Sequence, residues 1–183
     1  MLRFRRWQDR QASLYGKLLL RKALTGFGYS KNCLENLKHT KYGRPFIDNS
    51  IDINISHSEE IAVCSVSKNG RVGIDIEKIK PVELSRFKKY ILPEVWKEIN
   101  QSDEKDKLFY DYWTMVESSL KADGRGLSLP IEEIVLNRDK VQLCGKIWYI
   151  KKLDICKGYS CSLAAAINEP VLSVSEVTLE VNE

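Results

Sequence analysis

Alternation of apolar and polar residues between positions 51 and 77 constrains the fold of this chain more than any other feature. At its start, three isoleucines alternate with an aspartate and an asparagine, which is typical of a half-buried β-strand. Asn69-Gly70 suits a two-residue hairpin turn later in the segment, because both positions tolerate positive φ. The pattern predicts three consecutive strands over residues 51–55, 61–67 and 71–77. A polar turn over residues 56–60 would connect the first two.

Helical periodicity appears on both sides of this β-rich segment. Residues 11–25 carry apolar side chains at helical spacing and end at the Gly26/Gly28 pair, so they predict a helix. A longer helix over residues 104–122 presents a broad apolar stripe, and residues 82–100 are helical with an interruption near Pro93. Further strand-like segments cover residues 133–137, 146–151 and 159–167.

The order of these elements predicts an α+β fold made of two pseudo-symmetric halves. In each half, helices precede strands, so we expect helices packed on a small, mainly antiparallel sheet. The predicted boundary near Pro81 divides the chain into residues 1–80 and 81–183. With 183 residues, 43% of them hydrophobic, the chain has enough apolar material for one core or for two small halves.

Positive charge is concentrated at the start of the chain. The net charge is only +4, but residues 1–25 contain seven arginines and lysines against one aspartate, a local charge of +6. A basic edge of this kind suits a polyanion, such as a nucleic acid, an anionic membrane or a phosphate-rich small molecule. The alternative interpretation is a solvated helix face.

The apolar and cysteine patterns bear on the cellular location of the protein and on the state of its thiols. The sequence shows neither the core of a signal peptide nor an apolar run near the roughly 20 residues that span a bilayer. The five cysteines are widely spaced and form no CxxC pair, so neither a zinc site nor a disulfide framework is supported. Reduced thiols and a cytoplasmic location are therefore predicted.

Two short motifs place charged groups at informative spacings. In Gly73-Ile74-Asp75-Ile76-Glu77 the two carboxylates lie two residues apart on one strand, so they share a face, and a hard divalent cation would relieve their repulsion. The alternative is the wet face of an ordinary strand. Glu117 and Lys121 lie one helical turn apart, which suits either a role beside the same metal and a phosphate or a routine ion pair.

A third motif combines Gly43-Arg44-Pro45 with the segment Asn54-Ile55-Ser56-His57-Ser58. A turn that carries two hydroxyls and an imidazole can direct hydrogen-bond donors at a phosphate. A Ser/His nucleophile pair is a competing hypothesis. It is discounted because the sequence offers no nucleophile elbow and no third member.

In this order and at these spacings, the three motifs resemble the Sfp-type 4′-phosphopantetheinyl transferases. The resemblance extends from about Ser13 to Leu136 and includes the stretch Trp113–Leu127, W-T-M-V-E-S-S-L-K-A-D-G-R-G-L. It implies an active site between the two halves. The short holo-acyl-carrier synthases of the same superfamily have one half per subunit and form trimers, whereas this chain has room for both halves. A monomer is therefore expected.

The resemblance also implies a role for each matching residue. Asp75, Glu77 and Glu117 would hold Mg²⁺, and Glu117 would also accept the proton of the attacking serine. Lys121 would contact the phosphates as a second catalytic residue. The remaining contacts to coenzyme A would come from Arg6, Arg10, Ser13, Arg44, Ser56 and His57.

The implied reaction moves the 4′-phosphopantetheine arm of coenzyme A to a serine of an apo acyl or peptidyl carrier protein and releases adenosine 3′,5′-bisphosphate. The alternative is a non-catalytic module of the same fold that binds coenzyme A or the carrier, because Val116 stands where the family usually has lysine. The hypothesis of a nucleic-acid-binding module is supported only by the basic N-terminal arm. We therefore expect neither nucleic acid nor a membrane as partner.

Overall fold

The structure, a computed structural model, describes residues 7–129, 133–137 and 139–178. Two long helices carry most of the helical sequence, and a shorter helix and three 3₁₀ segments lie between them and the strands in the described part of the chain. In chain order the helices and strands are α1 (Trp7–Gly26), β1 (Lys38–His39), β2 (Pro45–Phe46), β3 (Asp52–Ser58), β4 (Ile61–Ser67), β5 (Val72–Lys78), α2 (Pro93–Gln101), α3 (Lys105–Asp123), β6 (Ile134–Asn137), β7 (Lys140–Leu143), β8 (Lys146–Lys152) and β9 (Tyr159–Ala165).

The strands form antiparallel sheets, which confirms the α+β prediction. β3 and β4 make a two-stranded sheet, while β5, β9, β8, β7 and β6 form a five-stranded sheet in that order. The apolar side of α3 packs on the five-stranded sheet, where Phe109, Leu120 and Val141 are almost fully buried in the largest apolar cluster. A smaller cluster lies between α1 and β3 around Leu20 and Ile53.

Side chains of β3, and not its backbone, connect the β3–β4 sheet to the five-stranded sheet. Every second residue of β3 accepts a hydrogen bond from a backbone N–H of β5: Asp52 from Val72, Asn54 from Ile74, Ser56 from Ile76 and Ser58 from Lys78. A backbone N–H left without a partner in a protein interior is costly, so this polar row satisfies one whole edge of β5. The polar side of β3 therefore faces its neighbour strand instead of solvent.

This arrangement corrects the predicted hairpin at Asn69-Gly70. β4 pairs with β3 and not with β5, and the chain crosses from the first sheet to the second between them. β5 takes β9 as its backbone partner on one edge and the polar row of β3 on the other. A strand whose two edges are both satisfied in this way has none left for β4.

Two glycines allow α1 and α3 to pack closely against the strands. Gly16 of α1 lies over β3, where an added Cβ would stand 2.6 Å from Ile55 Cγ2. Gly73 of β5 lies directly against α3, and a Cβ there would overlap the carbonyl oxygen of Ser118 and the amide nitrogen of Ala122. These two glycines let both helices approach the strands that carry the predicted site.

Other sequence predictions differ from the structure in detail. The helix expected over residues 82–100 is a 3₁₀ segment, Leu84–Tyr90, followed by α2, whose first residue is Pro93. Strand β7 was not predicted, because Lys140 and Gln142 leave only two apolar residues in its four positions. All five cysteines are free thiols. None of the helices within the described ranges has both the length and the apolar run required to cross a bilayer.

The division of the chain at residue 80 remains a prediction. In the five-stranded sheet, β5 precedes that boundary in the sequence and the other four strands follow it. The two proposed halves are therefore joined through one continuous sheet.

Candidate active site

A pocket of about 410 Å³ lies where β3, β5 and α3 meet. This size falls within the range of small-molecule sites, near its lower end. In the sequence, β3 and β5 precede the predicted boundary at residue 80 and α3 follows it. Its lining consists of Ile55, Ser56 and His57 from β3, Asp75 and Glu77 from β5, and Trp113, Glu117 and Lys121 from α3.

Asp75 is the most enclosed of the three acidic groups. One of its oxygens, Oδ1, accepts a hydrogen bond from Ser56 Oγ at 2.9 Å and lies 2.6 Å from Lys121 Nζ. The Lys121 ammonium also donates to Ser56 Oγ at 2.7 Å. The other oxygen, Oδ2, is buried and has no hydrogen-bond partner among the described residues. A buried carboxylate oxygen without a partner is unfavourable, so Asp75 has unused capacity to accept a hydrogen bond or bind a cation.

Glu77 is held in the same manner by a second serine of β3. Ser58 Oγ donates to Glu77 Oε2 at 2.8 Å while it accepts the backbone N–H of Lys78. Burial raises the pKa of Glu77, the hydrogen bond from Ser58 opposes that rise, and the charge of Asp75 adds to it. Ser56 and Ser58 thus form two matched clips, each orienting one carboxylate of β5.

Glu117 faces both β5 carboxylates from α3. Its pKa is raised to about 7, first by burial and then by the negative charge of Asp75, with Lys121 acting in the opposite direction. The repulsion between Glu117 and the β5 carboxylates is of the kind that a bound cation relieves. The spacing of Glu117 and Lys121 allowed a simple ion pair between them, but the salt bridge in the structure joins Lys121 to Asp75.

The donor set fits a hard divalent cation in chemistry but is not arranged as a finished metal centre. Within the described ranges, no three His, Cys, Asp or Glu side chains are grouped as a metal site, so the predicted convergence of Asp75, Glu77 and Glu117 on one point is not seen. The counter-charge beside Asp75 is instead the ammonium of Lys121. Carboxylate oxygens are nevertheless the ligands that Mg²⁺ prefers, and Asp75 Oδ2 has no competing partner among the described groups.

The segment that contains His57 is a strand and not the predicted turn. β3 continues through Ser58, and only Glu59 and Glu60 separate it from β4. Alternation along the strand directs Ser56 and Ser58 toward β5, while His57 is exposed at the rim of the pocket. Donation to a ligand therefore remains a prediction for His57, whereas the hydroxyl of Ser56 is already engaged with Asp75.

Arg44 is buried away from the pocket lining, with only 4% of its side chain exposed. Its guanidinium forms an ion pair with Asp52 at 2.5 Å and donates to the backbone carbonyl oxygens of Val72, at 2.8 Å, and of Lys121. These contacts are all within the protein. Contact between Arg44 and a nucleotide remains a prediction.

The remaining predicted contacts involve the N-terminal segment. Arg6 lies outside the described residues. Arg10 is exposed on α1, and Ser13 is half-buried on the same helix; neither lines the pocket. Ser13 precedes Gly16 by three residues, so it shares the α1 face that packs on β3 beside Ile55. α1 begins at Trp7, four residues earlier than predicted, so Arg10 also lies on this helix.

One residue of α3, Trp113, was not recognised in the sequence as part of the site. Trp113 lines the pocket one helical turn before Glu117, and its ring contacts Phe109 and Phe87. Val116, where the family usually has lysine, is buried in the largest apolar cluster and does not line the pocket. The sequence did contain a signal for Trp113, because Trp113, Glu117 and Lys121 follow one another at intervals of four residues and so lie on one face of the helix.

Comparison with known proteins places the chain in a class of enzymes. Residues 71–168, more than half of the chain, match the family model of the 4′-phosphopantetheinyl transferase superfamily. The chain therefore belongs to this superfamily, which confirms both the resemblance and the prediction of an enzyme. The matched segment includes Asp75, Glu77, Glu117 and Lys121.

Individual relatives extend the match over most of the chain. The 4′-phosphopantetheinyl transferase gsp of Aneurinibacillus migulanus is 31% identical over 189 residues, covering 96% of this chain and 77% of that protein. The 4′-phosphopantetheinyl transferase Sfp of Bacillus subtilis is 30% identical over 175 residues, covering 90% of this chain and 78% of its own length.

The clip formed by Ser58 leads to a prediction. If Glu77 holds Mg²⁺, as the resemblance implies, Ser58→Ala removes the hydroxyl that orients a metal ligand. The affinity for Mg²⁺ is then expected to fall by roughly 10-fold. Calorimetric titration of metal-free protein with Mg²⁺ measures this directly. Ser58→Thr, which keeps the hydroxyl, serves as the matched control and should retain most of the affinity. Equal affinity in the Ala variant and wild type would show that the clip does not orient a ligand.

Proposed function

We propose that this protein transfers the 4′-phosphopantetheine moiety of coenzyme A to a serine hydroxyl of an apo acyl or peptidyl carrier protein. Adenosine 3′,5′-bisphosphate is the leaving product, and Mg²⁺ is the cofactor. The observation that carries the proposal is one pocket, lined by Asp75, Glu77, Glu117 and Lys121, inside the segment that matches the superfamily. A cluster of three acids and one lysine suits a divalent cation together with phosphate oxygens.

The proposed roles follow from where the side chains lie. Glu117 faces Asp75 from the opposite element, so it is placed to accept the proton of a serine that enters the open side of the pocket. The Lys121 ammonium reaches the pocket from the same helix, one turn later, and would exchange its contact with Asp75 for phosphate oxygens. His57, exposed at the rim, would donate to the same phosphates.

Asp75, Glu77 and Glu117 would hold Mg²⁺ in this pocket. When bound, the ion would neutralise negative charge on the pyrophosphate of coenzyme A, where the bond to the leaving bisphosphate breaks. The proton balance requires one base for the attacking hydroxyl and favours one cation at the leaving bisphosphate, and Glu117 and Lys121 supply these two functions. No covalent intermediate on the enzyme is required, because the serine oxygen attacks the pantetheine-side phosphorus directly.

The mass of the carrier tests the proposed activity. Purified apo acyl and peptidyl carriers are incubated with this protein, coenzyme A and Mg²⁺, and each carrier is expected to gain one phosphopantetheine unit, with one bisphosphate released per unit. Chelation of the metal is the control and should abolish the gain.

Calorimetric binding of coenzyme A is measured in parallel. Binding of coenzyme A without mass gain on any carrier would contradict the transferase and support a non-catalytic binding module. Oligonucleotide affinity that coenzyme A cannot displace would favour a nucleic-acid partner instead. A monomeric state and a cytoplasmic location complete the proposal.

A further inference from the structure

Two arginines cap the C-terminal end of α3. Backbone carbonyls in the last turn of a helix have no partners within the helix, so other groups must satisfy them. Arg44 donates to the carbonyl of Lys121, and Arg71 donates to those of Ala122 and Asp123, at 3.1 and 2.9 Å. Three consecutive carbonyls of α3 are thereby bound by guanidinium groups, which also carry the charge that a helix C-terminus favours.

Asp52 joins the two arginines into one unit. Its carboxylate lies 2.5 Å from the Arg44 guanidinium and 3.8 Å from that of Arg71, and it also accepts the backbone N–H of Val72 at 2.8 Å. Asp52 is the first residue of β3, so the unit links β3, β5 and the end of α3. We call this group, Arg44, Asp52 and Arg71, the arginine clamp.

α3 ends in a tight turn at Gly124, against which both arginines of the clamp pack. Gly124 follows α3 with φ +92°, in the left-handed region that favours glycine. An added Cβ at this position would also stand 2.6 Å from the Arg71 guanidinium and 3.0 Å from Arg44 Cδ. Both arginines therefore pack directly over the turn that ends the helix.

The clamp acts on the residue that reaches the acidic pocket. Arg44 holds the backbone carbonyl of Lys121, and the side chain of Lys121 meets Asp75 at 2.6 Å. Glu117 lies one turn earlier on the same helix. We propose that the arginine clamp is a positioning device, which sets the register of Lys121 and Glu117 against Asp75 and so determines the turnover of the transferase.

This inference rests on the proposed function and gives Arg44 a role different from nucleotide binding. A direct contact with coenzyme A predicts that loss of Arg44 raises the KM for coenzyme A with a smaller effect on kcat. The clamp predicts the reverse, because a shift of about 1 Å in a catalytic group lowers the rate by roughly 100-fold without removing a binding contact. The two mechanisms therefore differ in which kinetic constant changes.

Three conservative variants test the clamp: Arg44→Lys, Arg71→Lys and Asp52→Asn. Lysine keeps the charge but lacks the fork that binds carboxylate and carbonyl together, and asparagine keeps the size but loses the charge. Each variant is expected to lower kcat by at least about 10-fold and to change the KM for coenzyme A by less than about threefold. The double variant Arg44→Lys/Asp52→Asn should lose little more than either single one, because both remove the same interaction.

Arg86→Lys is the matched control, since Arg86 forms an exposed ion pair with Glu83 outside the pocket. It should leave both constants unchanged. If Arg44→Lys fails to fold, Arg71→Lys supplies the measurement, because the Arg71 side chain is 46% exposed and tolerates change better. A raised KM with normal kcat in Arg44→Lys, together with a neutral Asp52→Asn, would overturn the clamp in favour of nucleotide contact.

Amide hydrogen exchange gives a readout that does not need catalysis. Faster exchange over residues 120–124 is expected in the clamp variants and not in Arg86→Lys, because the last turn of α3 loses its caps. If wild-type protein modifies no carrier, the proposed function fails, while this exchange result still decides whether the clamp holds the helix. Unchanged exchange in all three clamp variants would overturn the inference.

Discussion

Replacement of Glu117 by glutamine is expected to lower turnover by a factor on the order of 10²–10⁴ while the protein stays folded. Glutamine keeps the size and helix propensity of glutamate, but it neither accepts a proton nor supplies a charged ligand to a metal. Since the salt bridge in the pocket joins Lys121 to Asp75, the change at position 117 breaks no observed ion pair.

The same variant should alter how the stability of metal-free protein depends on pH. Glu117 has a pKa raised from 4.5 to about 7 in the folded state, so the folded protein binds the proton more tightly than the unfolded chain does. Below about pH 4.5 both states are protonated and this group contributes nothing. As pH rises toward 7 the folded state loses stability, on the order of 1–3 kcal/mol, and above that the loss is complete. Glu117→Gln lacks this loss.

Initial rates at saturating Mg²⁺ and thermal melting of metal-free protein at pH 5 and pH 8 measure the two effects side by side. The difference in Tm between the variant and wild type should be larger at pH 8 than at pH 5. Lys107→Gln is a suitable control for the loss of one charge on α3, because Lys107 pairs with Asp111 outside the pocket lining. Near-normal turnover of folded Glu117→Gln would refute the proposed mechanism.

Local patterns in the sequence predicted the acidic part of the site. A period of two placed Asp75 and Glu77 on one face of β5, and helical spacing placed Glu117 and Lys121 together on α3. In the structure all four line one pocket. The shared face within one strand or one helix follows from local geometry. That the strand and the helix meet at one site was implied by the family resemblance.

Contacts between distant elements were not predictable in the same way. Ser56 and Ser58 resembled residues of an exposed turn, yet their hydroxyls accept backbone N–H groups of β5 and orient its carboxylates. Arg44 resembled a ligand-binding cation because it lies in a short glycine- and proline-containing motif, yet its partners come from β3, β5 and α3. Alternation shows which side of a strand is polar, but it does not show what that side meets.

The same limit applies to Gly73, whose role depends on Ser118 and Ala122 of α3, more than 40 positions away in the sequence. Gly73→Ala is expected to lower the free energy of unfolding by at least about 3 kcal/mol, which corresponds to a Tm decrease of roughly 6–12 °C for a chain of this size. The new Cβ would overlap the Ser118 carbonyl and the Ala122 amide. Those are backbone atoms of a packed helix, so no side-chain rotation relieves the overlap, and α3 must move as a whole.

Such a movement would separate Glu117 and Lys121 from the β5 carboxylates, so turnover of the folded fraction should fall as well. Gly26→Ala is the matched control, because Gly26 has nothing within 4 Å of the added Cβ and no positive φ. Thermal melting of both variants, followed by transferase rates below the transition, measures the two consequences. If Gly73→Ala were as stable and active as Gly26→Ala, then the close packing of α3 on β5 would not be what places the catalytic side chains.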